Sequence, residues 1–231
     1  MTTGGTLIFG TYPQTADGTD KTPIQWNILH NSGKELLILS KYILDCRRYH
    51  GARVDITWAE CDLRKWLNDG FYQTAFHPVE REAILISHCR NNGGDSPNTD
   101  DRIFLLSAEE AREFTCKGTC HSAAASRQTV GTEFAKKKKT DGCKLYEYNK
   151  RGTADYITES GHVVGCSWWW LRTQGQKAVT ECGSEKINDA TRAFFVGTHS
   201  SIRSYGWVNL SGYGVRPALW LNFCVARQVF A

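Results

Sequence analysis

The chain opens with short apolar runs whose periods fit strands. Leu7-Ile8-Phe9-Gly10-Thr11-Tyr12 is stopped by Pro13, and Pro23-Ile24-Gln25-Trp26-Asn27-Ile28-Leu29 alternates apolar and polar residues as a half-buried strand does. Asn31-Ser32-Gly33 supplies turn residues, and Leu36-Leu37-Ile38-Leu39-Ser40 is apolar throughout yet too short for a helix. Together they predict an antiparallel hairpin whose second strand is buried on both faces.

Helical spacing begins later. Thr57-Trp58-Ala59-Glu60 has the form of a capping box, Leu63, Trp66, Leu67 and Phe71 follow at helical spacing, and Gly70 is the expected stop. Ser107-Ala108-Glu109-Glu110 repeats the box directly after Ile103-Phe104-Leu105-Leu106, so a strand is expected to hand over to a short helix there. Pro78 suits the first turn of another short helix through about Ala83. From Lys117 to Asn149 the pattern fades into serine, alanine, threonine, lysine and glycine, the composition of a surface excursion. Two apolar and aromatic runs follow, Cys166 to Arg172 and Val215 to Leu221, each expected as a central strand.

With 231 residues, 41% hydrophobic and 23% charged, the composition fits one globular domain over 1–231. The net charge of +4 comes largely from the run Lys136 to Lys139, so no nucleic-acid surface is indicated. MTTGGTLIFG lacks the basic and apolar parts of a signal sequence, and no apolar stretch reaches the roughly 18 residues of a membrane span. The expectation is a cytoplasmic or virion-associated protein without membrane insertion. Nine cysteines without framework spacing point to a reducing compartment, with Cys46, Cys61, Cys89 and Cys166 as small core residues. Cys116, Cys120 and His121, with Cys143 as a distant fourth, depart from zinc-ligand spacing. Glu181, Glu185 and Asp189 lack the oxygen density of a calcium site, so neither metal nor cofactor is expected.

Taken in order, Phe9 to Gln14, Ile24-Gln25-Trp26, Leu37 to Asp45, Thr57-Trp58 through Asn68, Phe104 to Ser107, Trp169 to Arg172 and Gly214 to Leu221 resemble the bacterial and phage domain family DUF6273, over about Leu7 to Phe223. The resemblance implies an α+β, C-type-lectin-like fold related to formylglycine-generating enzymes: antiparallel strands, two or more short helices and long irregular loops. It also implies the plan of a variable protein of a diversity-generating retroelement, a fixed scaffold displaying a mutable ligand-binding segment at about 170–221. Adenine-directed mutagenesis of asparagine-type codons yields an alphabet without Lys, Glu, Gln, Met or Trp. Residues 1–186 contain 38 of these five types, so the 29 residues from Ile187 to Val215 would hold roughly six at uniform composition. They hold one, Trp207. Loops rich in Gly, Ser and Asn also lack lysine and glutamate, so a bland origin of the bias stays open.

Within this segment Phe194, Phe195, Thr198, His199, Arg203, Ser204, Tyr205, Asn209, Leu210, Ser211 and Tyr213 form a paratope-like mixture of aromatic, hydroxyl and amide groups. They are the candidate contacts for a protein or glycan ligand on a cell or host surface, the alternative being that some of the aromatics, especially Phe195, simply fill the core. Trp168, Trp169, Trp170, Trp207 and Trp220 are expected in the scaffold, at least one of the first three buried, and Arg216 and Arg172 are expected to hold backbone carbonyls or a carboxylate. Two other functions remain: a non-diversified attachment module of a phage or bacterium, and an oxidase using late cysteines among Cys166, Cys182 and Cys224, around which that family's active-site sequence is missing. No catalytic residue is assigned.

Overall fold

The computed structural model describes residues 5–90, 92–115, 127–148, 164–179 and 185–229. Cys116, Cys120, His121, Glu181 and Cys182 lie outside them. Strands β1 (Thr6–Tyr12), β2 (Thr22–Asn31) and β3 (Glu35–Ser40) form the expected antiparallel start, and β11 (Ala218–Asn222) returns to pair antiparallel with β3. The sheet order is β1-β2-β3-β11. Every residue of β3 after Glu35 is buried, as its unbroken apolar run requires.

A second sheet has the order β4-β10-β7-β8-β9, built from β4 (Asp45–Cys46), β7 (Trp169–Ala178), β8 (Lys186–Val196), β9 (Ile202–Trp207) and β10 (Gly214–Val215). Its pairings are antiparallel except where Gly214 meets Trp169. A ribbon of β5 (Ser87–Cys89) and β6 (Thr99–Asp101) completes a mixed α+β architecture. The aromatic run near residue 168 enters its strand only at Trp169, and the run Val215 to Leu221 is divided between β10 and β11 at Arg216-Pro217, where proline has no amide to give to a ladder.

Helix α1 (Asp62–Trp66) continues through a π turn (Leu67–Phe71) into α2 (Tyr72–Ala75). Thr57 is not its cap: residues 57–61 close a turn, with Cys61 N donating to Thr57 O at 3.1 Å, and Cys61 caps the helix. Gly70 does not end it either, because Phe71, Tyr72 and Ala75 carry the buried face onward. Pro78 opens α3 (Pro78–Arg81) as its position predicted. The second capping box forms as read: Ser107 N donates to Glu110 Oε2 at 2.9 Å and Glu110 N to Ser107 Oγ at 3.0 Å, starting α4 (Ala108–Thr115). Ile103 to Leu106 is buried but is no strand; Phe104 alone bridges to Ala218. Short helices α5 (Glu133–Lys136) and α6 (Phe223–Val229) complete the elements.

The expected surface excursion proves to be framework where it is described. Between 127 and 148, Ala135, Cys143, Leu145 and Tyr148 are buried, and Lys139 of the lysine run pairs with buried Asp45 at 3.0 Å. Its apolar residues are few and widely spaced, so composition conceals their packing. No helix among the described residues is long and apolar enough to cross a membrane.

Three buried charges tie these elements together. Asp101 accepts from Trp58 Nε1, Arg64 Nε and Thr99 Oγ1 at 2.6–2.9 Å. Asp45 accepts from Tyr12 OH at 2.9 Å and also meets Arg47 and Lys139. Arg172, fully buried in β7, uses every guanidinium donor: Nε to Asn92 Oδ1 (2.8 Å), Nη1 to Leu105 O (2.7 Å), Nη2 to Arg90 O (2.6 Å), and both Nη atoms to the Glu110 carboxylate. Its carbonyl accepts from Tyr49 OH at 2.8 Å, and its amide donates to Leu106 O at 3.0 Å. Replacing Arg172 by Met orphans these acceptors and should lower the unfolding free energy by about 3–5 kcal/mol in urea titrations. Combined with Glu110→Gln, the losses should be sub-additive by about 1 kcal/mol or more.

Candidate functional site

The β8–β9 connection, residues 197–201, is a tight turn held from outside. Gly197 N donates to Ser201 O at 2.8 Å and Ser200 N to Gly197 O at 2.9 Å, with Ser200 in the left-handed region at φ 71°. Arg127 Nε donates to Ser200 O at 2.8 Å and Gln128 Nε2 to Thr198 O at 3.2 Å. Buried Trp169 in turn donates from Nε1 to Arg127 O at 3.0 Å, so a scaffold tryptophan anchors the residue that anchors the turn.

Beside this turn lies a pocket of about 380 Å³, walled by aromatic rings. Tyr146 stacks on Trp168 with centroids 3.9 Å apart, Trp168 lies 5.2 Å from Tyr213, and Tyr213 stacks on Trp170 at 4.1 Å. Phe195 meets Tyr213 and Tyr205 edge-on at 4.9 and 5.4 Å. Such stacked and edge-to-face pairs fix ring positions beyond what area burial alone does. Burial and the neighbouring Tyr205 push the Tyr213 hydroxyl well above its ordinary range, so it stays protonated at neutral pH. Tyr205 is half exposed, and Arg203 stands at the rim with Nε donating to Ser201 Oγ at 2.8 Å and Nη2 3.1 Å from His199 Nε2.

Of the eleven candidate contacts, Phe195, Thr198, His199, Arg203, Tyr205 and Tyr213 come together around this pocket. Phe195, Thr198 and Tyr213 are buried in its wall, leaving His199, Arg203 and Tyr205 as the more accessible members. Phe194 and Ser204, both buried, instead line a neighbouring cavity of about 180 Å³ that shares Arg203 and Tyr205. Asn209, Leu210 and Ser211 form a turn beyond β9 outside the pocket lining. There the backbone serves the framework: Arg48 Nε donates to Asn209 O at 3.1 Å, and Lys144 N and Cys46 Sγ donate to Ser211 O.

The tryptophans divide. Trp169 and Trp170 are fully buried, and Trp207 is clamped between the guanidinium groups of Arg53 and Arg192, 3.2 and 3.6 Å from its ring centre. Trp168 departs from the scaffold expectation, since it is half-buried and lines the pocket. Tyr146 and Tyr148 were missed altogether. Their signal was the alternation Leu145-Tyr146-Glu147-Tyr148, which puts both tyrosines on one side of an extended segment. That segment runs along the 211–212 turn, with Tyr146 N donating to Gly212 O at 2.9 Å, while Glu147 pairs with Lys136.

Arg216 and Arg172 behave as expected, Arg216 Nε donating to Ser40 O at 2.7 Å from full burial. Burial raises the thiols of Cys46, Cys89 and Cys166, and that of Cys61 to about 12, so these cysteines are protonated core residues. Among the described residues no three His, Cys, Asp or Glu side chains group as a metal ion requires. Asp189 is engaged by Thr191 and Arg192.

Gly206 sets how closely β9 approaches the rings. A Cβ there would lie 2.9 Å from Trp170 and 3.0 Å from Phe195. Gly206→Ala should therefore change the near-ultraviolet circular dichroism of the aromatic cluster and cost about 1–3 kcal/mol in denaturant unfolding. Tyr205→Ala and Arg203→Gln, which alter exposed side chains, should shift unfolding free energy by less than about 0.5 kcal/mol, while Tyr213→Ala costs about 3–5 kcal/mol. That contrast separates a surface laid on a scaffold from the scaffold itself.

The model of a domain of unknown function, DUF6273, matches residues 33–223, so the chain belongs to that family. The match starts later than Leu7, leaving both β1 and β2 outside it. No curated protein and no solved structure matches the chain.

Proposed function

We propose that this member of the DUF6273 family is a ligand-binding protein whose C-type-lectin-like scaffold presents a diversifiable face, as the variable protein of a diversity-generating retroelement would. The observation carrying the reading is the aromatic pocket at the β8–β9 turn, where six residues from one short stretch of chain converge beside three tyrosines and tryptophans contributed by the framework. A pocket of about 380 Å³ lies in the range of small-ligand and anchor-residue sites. Rigid aromatic walls with exposed Tyr205 and Arg203 and half-buried His199 at the rim are the chemistry of binding hot spots.

The scaffold reading is supported by the return of β11 to the N-terminal meander, which places both ends of the family match in one sheet and leaves β7, β8 and β9 to carry the face. Diversification is supported by the composition of 187–215 and by its exception, since Trp207 sits between Arg53 and Arg192, a position where exchange would unseat two cations. A binding role over an oxidase is supported by Cys166, whose thiol burial pushes up, away from the activated thiolate a nucleophile needs. The ligand is a protein or glycan on a cell or host surface.

Two observations test this. The genome beside the coding region should hold a reverse transcriptase and a template repeat matching the DNA for about Trp170 to Leu221, differing at template adenines; a locus with neither removes the retroelement. Independently, a displayed library randomised at His199, Arg203 and Tyr205 should yield specific binders to unrelated protein and glycan targets while its members keep the parental melting temperature. A library that folds and yields none speaks against the binding face.

A further inference from the structure

Among the described residues, the charged side chains lining the two cavities at Arg203 are of one sign. The aromatic pocket is lined by Arg203 and by no described carboxylate, and the adjoining cavity adds Arg112 and Lys186, again without a described carboxylate. Arg203 and Tyr205, exposed on β9, form the ridge shared by both cavities. The carboxylate nearest in sequence to the pocket tyrosines, Glu147, is taken by Lys136 at 3.3 Å. Arg203 makes two hydrogen bonds to the adjoining turn, Nε to Ser201 and Nη2 to His199, and forms no ion pair among the described residues. Its Nη1 donors are thus held in place and unspent. An arginine pre-oriented in this way, beside a low-polarity cavity, is arranged for a carboxylate.

We infer, building on the binding role proposed above, that the partner is a polypeptide presenting a large apolar side chain next to acidic residues. The apolar side chain enters the aromatic pocket, and the acidic groups lie over Arg203 with Arg112 and Lys186 behind it. The two cavities side by side favour an extended segment over a compact ligand, because a single ring seated in one would leave the cations of the other unmatched. Charge complementarity of this kind sets partner choice and association rate, while the buried anchor sets residence time.

The test is selection of a random peptide library, displayed on phage, against the full chain. Enriched peptides should combine Phe, Trp, Tyr, Leu or Met with Asp or Glu within a few positions, and their affinity should fall as salt rises. Arg203→Gln should weaken the selected peptides about tenfold or more, and Arg203→Glu should enrich basic peptides in their place. Selected peptides without acidic residues, salt-independent binding, or unchanged affinity in Arg203→Gln would overturn the inference. So would acidic or neutral oligosaccharides binding where no peptide does. If Tyr205→Ala also leaves the selected peptides bound, the pocket itself is not the binding face and the functional reading fails with it; if Tyr205→Ala abolishes binding while Arg203→Gln does not, only the acidic partner is lost.

Discussion

The guanidinium of Arg172 is the interaction on which the rest of the molecule depends. A buried cation is costly unless every donor is met, and here five donors converge on Asn92, Leu105, Arg90 and the two oxygens of Glu110. Those partners come from separate stretches: the loop after β5, the buried run before α4, and α4 itself. Satisfying the cation therefore fixes where each stretch lies against β7. The capping box is part of the same arrangement, because Glu110 accepts from Ser107 N while holding Arg172. Trp169 and Trp170, three and two residues upstream, inherit their placement from this strand; Trp169 holds Arg127, which anchors the turn, and Trp170 backs Tyr213 of the pocket wall.

Asp101 and Asp45 act in the same way at other junctions. Asp101 joins β6 to Trp58 and Arg64, fixing the turn that leads into α1. Asp45 joins β4 to Tyr12 of β1 and to Lys139. Each carboxylate is buried, so each needs its donors in one geometry, and Tyr12 and Lys139 for Asp45, Trp58 and Arg64 for Asp101, reach it from distant parts of the chain. An apolar core of similar volume would tolerate sliding between layers; these polar junctions make a shifted register expensive.

Much of the fold was legible because its signals are local. The alternation of Pro23 to Leu29, the apolar run of β3, Pro78 and the Ser107 box each state their conformation within a few residues. What escaped depended on distant partners. Thr57 offered a good cap, but Trp58 is pulled to Asp101 and the helix waits until Asp62. Ile103 to Leu106 looked like a strand, yet the carbonyl of Leu105 is claimed by the Arg172 guanidinium, and the run meets strands only at single points, Phe104 with Ala218 and Leu106 O with the Arg172 amide. At the site, the residues on β8 and β9 were visible as a compositional bias, whereas Tyr146 and Tyr148 reach the pocket from a segment whose lysines and glycines resembled solvent-facing loop. Sequence spacing carries no sign that residue 146 lies against residue 168.

The construction of the β8–β9 turn bears on how such a face can change without losing its shape. Side chains from outside the turn, Arg127 and Gln128, hold it by the carbonyls of Ser200 and Thr198. A carbonyl is present whatever residue occupies the position, so exchange at Thr198 leaves that bond available. The demanding geometry falls on Ser200, whose positive φ suits few residues, and on Gly206, where a side chain would strike Trp170. His199, Arg203 and Tyr205 bear neither constraint: their side chains point into the pocket rim and form no ladder contact that the sheet requires. Conformation is thus assigned to backbone groups and framework residues, and identity is left to the side chains a ligand would meet. A loop ordered by its own side chains would have to be rebuilt with every substitution; this one keeps its anchors on the framework.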